Sequence, residues 1–244
     1  MSTRMTRYLA LFAGLALIVA GLTVPVWMAS PGIGDIQAAQ ILYDSQAFHW
    51  LYVITVIVSC VLIAPVIVLL AVRLYPLRPE LSLVGASAFL LGLILEAAGS
   101  ASSLARFGGA VTGAMEADPL WISIYHSLTS LYLAVDFAGV ALIYVAGVLL
   151  ALALWRHHLI SSILLLLAAV VFVVALFLPS FYSTFTLAGS IVIFGLAYGA
   201  LGYATADLDS REEALQETET EAAGLRSSTT SRSRRSRRSS RRRR

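Results

Sequence analysis

The chain has 244 residues, of which 59% are hydrophobic and 13% charged, with a mean hydropathy of +0.83. That lies far above the apolar share of a soluble domain, so lipid is the solvent for most of it. The formal net charge of +3 averages an acidic segment, a basic tail and a nearly neutral body, and therefore carries meaning by location and not by sum.

All 17 basic residues are arginine. Without lysine there is no Schiff-base amine, which excludes retinal-type and aldolase-type chemistry. The single cysteine, Cys60, excludes an intrachain disulfide and a CxxC metal or redox motif. Its place within an apolar run reads as a small buried residue.

Arg4 and Arg7 precede the first apolar run, residues 8–29. A signal peptide is the competing reading, but the run is about twice a typical h-region and no small-x-small cleavage site follows it. It reads as a retained transmembrane helix with Pro25 near its outer end. Residues 30–49 form a polar connection containing Pro31, Gly32, Gly34, Asp35 and Asp44. Within it, IQAAQILYDSQAF fits a short interfacial helix.

The second span covers about 50–72, with Pro65 inside it, where a membrane helix tolerates proline if neighbours satisfy the freed carbonyl. The loop RLYPLRPE follows, and the third span covers about 81–105. From Phe107 to Pro119 the chain is glycine-rich and is expected to be a loop, carrying Glu116 and Asp118. The fourth apolar region, about 121–155, is longer than the roughly 20 residues a perpendicular span needs. It is expected either to tilt or to leave Pro119 to Ser130 partly outside the hydrocarbon. Arg156, His157 and His158 precede the fifth span, 159–178, and a tight turn leads to the sixth, 185–204.

An all-α, polytopic, six-helix transmembrane bundle over residues 1–205 is therefore expected. Arginine sits at the N-terminus, in the Arg73/Arg78 loop, at Arg156 and in the C-terminal tail, all on one side, while Arg106 is the only basic residue opposite. Cytoplasmic flanks are enriched in Arg and Lys, so the expectation is a cell-membrane protein with both termini cytoplasmic. Trp27, Trp50, Trp121 and Trp155 each fall at a predicted helix end, where amphipathic rings favour the headgroup region.

Residues 206–225 carry a capping-box pattern, Ser210 with Glu213, and apolar residues at heptad spacing, which fits a short acidic cytoplasmic juxtamembrane helix. Residues 226–244 are expected to be a disordered basic tail. Its Arg234, Arg235, Arg237, Arg238, Arg241, Arg242, Arg243 and Arg244 suit contact with anionic lipid headgroups. The plain alternative is a solvated end without specific function. No base-reading module accompanies the tail, so no specific nucleic-acid partner is expected. Membrane lipid is the expected partner, and homo- or hetero-oligomers are both open.

The chemistry-bearing stretch is LGLILEAAGSASSLAR, 91–106, which sets Glu96 inside an apolar run. Gly92, Glu96, Ser100 and Ser103 share one helical face, with Gly99 beside them, so the face turns toward protein. In the fourth span, Tyr125, Thr129, Tyr132, Asp136 and Gly139 form a matching stripe. The two helices are consecutive and expected to be antiparallel neighbours. Two carboxylates in low dielectric cannot both stay ionised without a cation, so one is expected to hold a proton, as a proton relay or cation site requires. The bland reading is that each acid is hydrogen-bonded and only fixes helix packing.

His49 and His126 are weak candidates for a metal or haem site near the outer face, but they lack ligand spacing such as HxxxH or HExxH. No cofactor is expected, and an interfacial imidazole bonded to water or headgroups is the plainer reading. Gly195, Gly199 and Gly202 form a GxxxG-type face, expected to pack within the chain.

Three functions follow. The leading one is a non-enzymatic membrane protein that binds or conducts a proton, cation or small polar solute at Glu96, Ser100, Ser103, Tyr132 and Asp136. The second is a structural or assembly protein whose tail binds anionic lipid or partner proteins. The third is a membrane redox or cofactor protein using His49 and His126.

Overall fold

A computed structural model describes residues 3–27, 34–107, 109–178, 184–208 and 210. They form α1 (Thr3–Trp27), α2 (Asp35–Asp44), α3 (Gln46–Leu74), α4 (Pro79–Ser103), α5 (Ala110–Met115), α6 (Pro119–Leu154), α7 (Leu159–Phe177) and α8 (Thr184–Leu208), with no strand among the described residues. Six of these, α1, α3, α4, α6, α7 and α8, are long and apolar enough to cross a bilayer. The protein is all-helical, and its six apolar helices are those of a multi-pass integral membrane protein.

The chain divides into Met1–Thr205 and Ala206–Arg244. Of the second part, Ala206, Asp207, Leu208 and Ser210 are described, and all four are helical. The rest of the expected acidic helix and the whole arginine tail lie outside the described residues.

Local sequence sets the helix limits. Pro79 and Pro119 occupy the first turns of α4 and α6, where a missing N–H costs nothing. The Asp118 carboxylate accepts from the Leu120 amide at 2.9 Å and caps α6. Helix α6 runs unbroken for 36 residues, about 54 Å at 1.5 Å per residue. Its first turns present exposed Ser123, His126 and Ser127 beside exposed Leu120.

Small residues bring the spans into backbone contact. Along the α4–α6 seam Gly85 meets Leu149 and Leu150, Gly92 meets Gly139 and Ile143, and Gly99 meets Asp136, so the two helices are antiparallel. On the far side Gly14 of α1 meets Gly195 of α8, and Gly202 meets Ala10. The glycine face of the last helix thus packs within the chain. Buried hydroxyls pin further neighbours. Ser59 Oγ donates to the Ala13 carbonyl (2.9 Å), Ser82 Oγ to that of Ala71 (2.7 Å), and the Tyr144 hydroxyl to Ser190 Oγ (2.9 Å).

Two connections differ from plain loops. The expected interfacial helix is present as α2, but the glycine-rich segment after Phe107, expected to be a loop, contains α5. Gly109 turns the chain at φ 111°, a left-handed conformation that glycine adopts without strain. Gly113 lets the Trp121 ring lie where a Cβ would be. Helices α2 and α5 pack on each other, burying Ala39, Leu42, Val111 and Ala114, and they cap the end of the bundle at which α6 begins.

Candidate functional site

The centre of the α4–α6 seam holds a reciprocal arrangement. Leu93, Glu96, Ala98 and Gly99 recur at the same spacing as Leu133, Asp136, Ala138 and Gly139. A Cβ on Gly139 would lie 2.6 Å from the Glu96 amide nitrogen, and one on Gly99 would lie 3.0 Å from the Asp136 Cα. Each acidic residue is therefore followed, three positions on, by the glycine against which the other acidic residue sits. Backbone contact at these points sets both carboxyls on one seam, close enough for Asp136 to act electrostatically on Glu96.

Both carboxyls line a cavity of about 180 Å³ whose walls come from all six spans. Leu17 contributes from α1, Tyr52, Ser59 and Cys60 from α3, Val140 and Tyr144 from α6, Phe172 from α7, and Phe194 and Tyr198 from α8. Aromatic rings supply much of the remaining wall. Tyr144 stacks on Phe172 with centroids 4.3 Å apart, and Phe194 meets Tyr144 edge-on at 4.9 Å. Glu96 is 7% exposed, and neither its Oε2 nor Asp136 Oδ1 has a hydrogen-bond partner among the described residues. Two unpartnered carboxyl oxygens therefore belong to residues of a largely apolar chamber that also carries a few hydroxyls.

One buried cation belongs to the same cluster. Arg106 lies in the 3-10 turn Leu104–Phe107 that ends α4, and is 4% exposed. Its Nε donates to the Ser103 carbonyl at 3.1 Å, and its guanidinium sits over the Tyr132 ring, 4.7 Å from the centroid. Its charge reaches Asp136, and Tyr125 contributes a side-chain hydrogen bond. The guanidinium acts on Asp136, so Glu96 is the acid that a proton or a second cation balances.

The expected residues are placed as follows. Glu96 and Asp136 meet at the cavity. Ser100 and Ser103 are fully buried on the same face of α4, with Ser103 Oγ donating to the Ser100 carbonyl at 2.6 Å, but neither lines the cavity. Tyr132 is buried beneath Arg106 and also stands outside the cavity wall.

His49 is fully buried, its Nε2 2.9 Å from Ser103 Oγ and its ring against Phe107, which corrects the expectation of an interfacial imidazole. The cause is that α3 begins at Gln46, before the apolar run, so His49 is already turned toward α4. His126 is exposed, 3.5 Å from Asp35. The two imidazoles face different surroundings, and among the described residues no three His, Cys, Asp or Glu side chains gather to hold a metal ion.

Sequence reasoning missed Arg106, treated there as a stray flank charge, and the aromatic wall from α7 and α8. The signal for Arg106 was available: it is the only basic residue between Arg78 and Arg156. The arginine-tail residues lie outside the described residues. No protein family, curated protein sequence or solved structure matches the chain.

Proposed function

We propose that this is a non-enzymatic multi-pass protein of the cell membrane, with both termini cytoplasmic, that binds and exchanges a proton for a cation at the Glu96/Asp136 pair. The observation that carries the reading is that these two carboxyls, on different helices, line one cavity walled by all six spans. Glu96 supplies a buried acceptor on α4, Asp136 a second on α6, and Arg106 compensates Asp136, which leaves Glu96 to be balanced. Intramembrane acids in such a setting mark ion and proton pathways. The arginines at positions 4, 7, 73, 78 and 156 support the orientation.

The test combines infrared spectroscopy with flux measurements. Purified protein is titrated while the side-chain carboxyl band is followed, and proteoliposomes report proton and monovalent-cation movement. Glu96→Gln and Asp136→Asn should each remove part of the titrating band and abolish any flux. Variants that fold normally and leave both band and flux unchanged would end the proposal.

A further inference from the structure

We propose that the Glu96/Asp136 cavity receives a lipid-soluble organic cation about one ring in size, taken up sideways from the bilayer through the gap between α6 and α7. This rests on the reading that the carboxyl pair exchanges a proton for a cation, and it adds the class of cation and its route.

Size comes first. The cavity measures about 180 Å³, and one of roughly 150 Å³ holds a benzene molecule. A single ring with a small ammonium head fits.

The lining decides between inorganic and organic cations. Hard metal ions require several oxygen ligands to replace their water, about six to eight for calcium. Here two carboxyls and a few hydroxyls stand among apolar walls, and no metal-ligand cluster gathers among the described residues. An ammonium group with an apolar body needs less: one or two acceptors for the charge and greasy or aromatic surface for the rest. Glu96, more than nine-tenths buried, lines the cavity, and its Oε2 has no hydrogen-bond partner among the described residues. In the same cavity wall, Tyr144, Phe172, Phe194 and Tyr198 offer the rings that attract a desolvated cation.

The route follows from side chains that belong to two surfaces at once. Leu133 and Phe137 of α6 and Leu176 of α7 line the cavity, yet they are 47%, 53% and 52% exposed. At these residues one layer of side chains stands between the chamber and the lipid-facing flank of the bundle, and a ligand from the bilayer would pass there. A ligand arriving there has already partitioned into the bilayer, which selects for lipophilic molecules.

The experiment uses full-length protein in lipid nanodiscs and radiolabelled benzylammonium, with ethylbenzene as its uncharged isostere. Saturable binding is expected, weakened by about tenfold or more in Glu96→Gln and also weakened in Asp136→Asn. The neutral isostere should need about tenfold or more higher concentration to displace the cation. Leu176→Trp, which crowds the gap, should slow association severalfold without changing the dependence on Glu96.

Infrared titration of the same samples separates the two claims. If the carboxyl band titrates normally but the cation fails to bind, or binds the Gln variant and the isostere competes equally, the ligand class is refuted while the proton site stands. If the band is absent, both fall. An association rate unaffected by Leu176→Trp would refute the lateral route. Circular dichroism verifies helicity for each variant, and the isostere comparison needs no variant at all.

Discussion

Gly139→Ala tests the seam directly. The added methyl would sit 2.6 Å from the Glu96 amide nitrogen, whereas ordinary contact begins at 3.4 Å, so α4 and α6 must separate by roughly 0.8 Å. The obstructing atoms are backbone, which cannot swing aside as a side-chain tip does. Overpacking of this kind costs about 1–3 kcal/mol, against a helix-propensity gain of up to about 1 kcal/mol for replacing glycine by alanine. A net loss of about 1–2 kcal/mol is expected. Gly189→Ala is the control, since nothing lies within 4 Å of the site of its Cβ, and only the propensity gain should remain. Stability is measured by denaturant titration in mixed micelles, followed by circular dichroism. If Gly139→Ala is as stable as the parent chain, or gains as much as Gly189→Ala, the helices are not in backbone contact and the argument for a fixed carboxyl pair fails.

Arg106→Gln leaves buried Asp136 without its guanidinium and should cost about 3–5 kcal/mol in the same assay. Adding Asp136→Asn should recover part of that loss, and strictly additive losses would show that the two residues do not interact. Tyr144→Phe removes the donor to Ser190 and should cost about 1 kcal/mol; no loss would mean the bond contributes nothing. With Cys60 replaced by Ser, a cysteine at exposed Thr112 of α5 should react with an impermeant thiol reagent only from outside the cell, and one at Ser231 only from the cytoplasm. The reverse pattern would overturn the orientation. Deleting residues 207–244 should leave cation binding intact, whereas loss of binding would favour the assembly reading, in which the tail is the working part.

The six spans were legible in the sequence because hydrophobic length is a local property. The expected starts of the third and fourth spans, near 81 and 121, fall within two residues of Pro79 and Pro119. Segments with weak periodicity were harder. Six residues of α5 between Gly109 and Glu116 gain their order from packing on α2 and Trp121, which no local pattern announces. Glu96 and Asp136 were identifiable as charges in apolar runs, and consecutive helices made them neighbours. What was illegible was long-range: Tyr198 and Phe194 lie about a hundred residues from Glu96, and only folding shows that they share its cavity. His49 was misread because it directly precedes the apolar run, where an interfacial position was expected, while helical rotation turned it inward. Arg106 was weighed as a topological marker, and burial made it part of the cluster.

The paired glycine seats have a mechanical consequence. Gly99 under Asp136 and Gly139 under Glu96 work as two pegs in two sockets. Sliding α4 along α6 by one residue, about 1.5 Å, unseats both at once and drives side-chain-bearing positions into the opposing backbone. The helices therefore cannot trade a small shift for a small energy; their relative height is indexed. The spacing of the two acids is then a constant of the molecule, and any movement that admits or releases a ligand falls to the helices held by side chains alone.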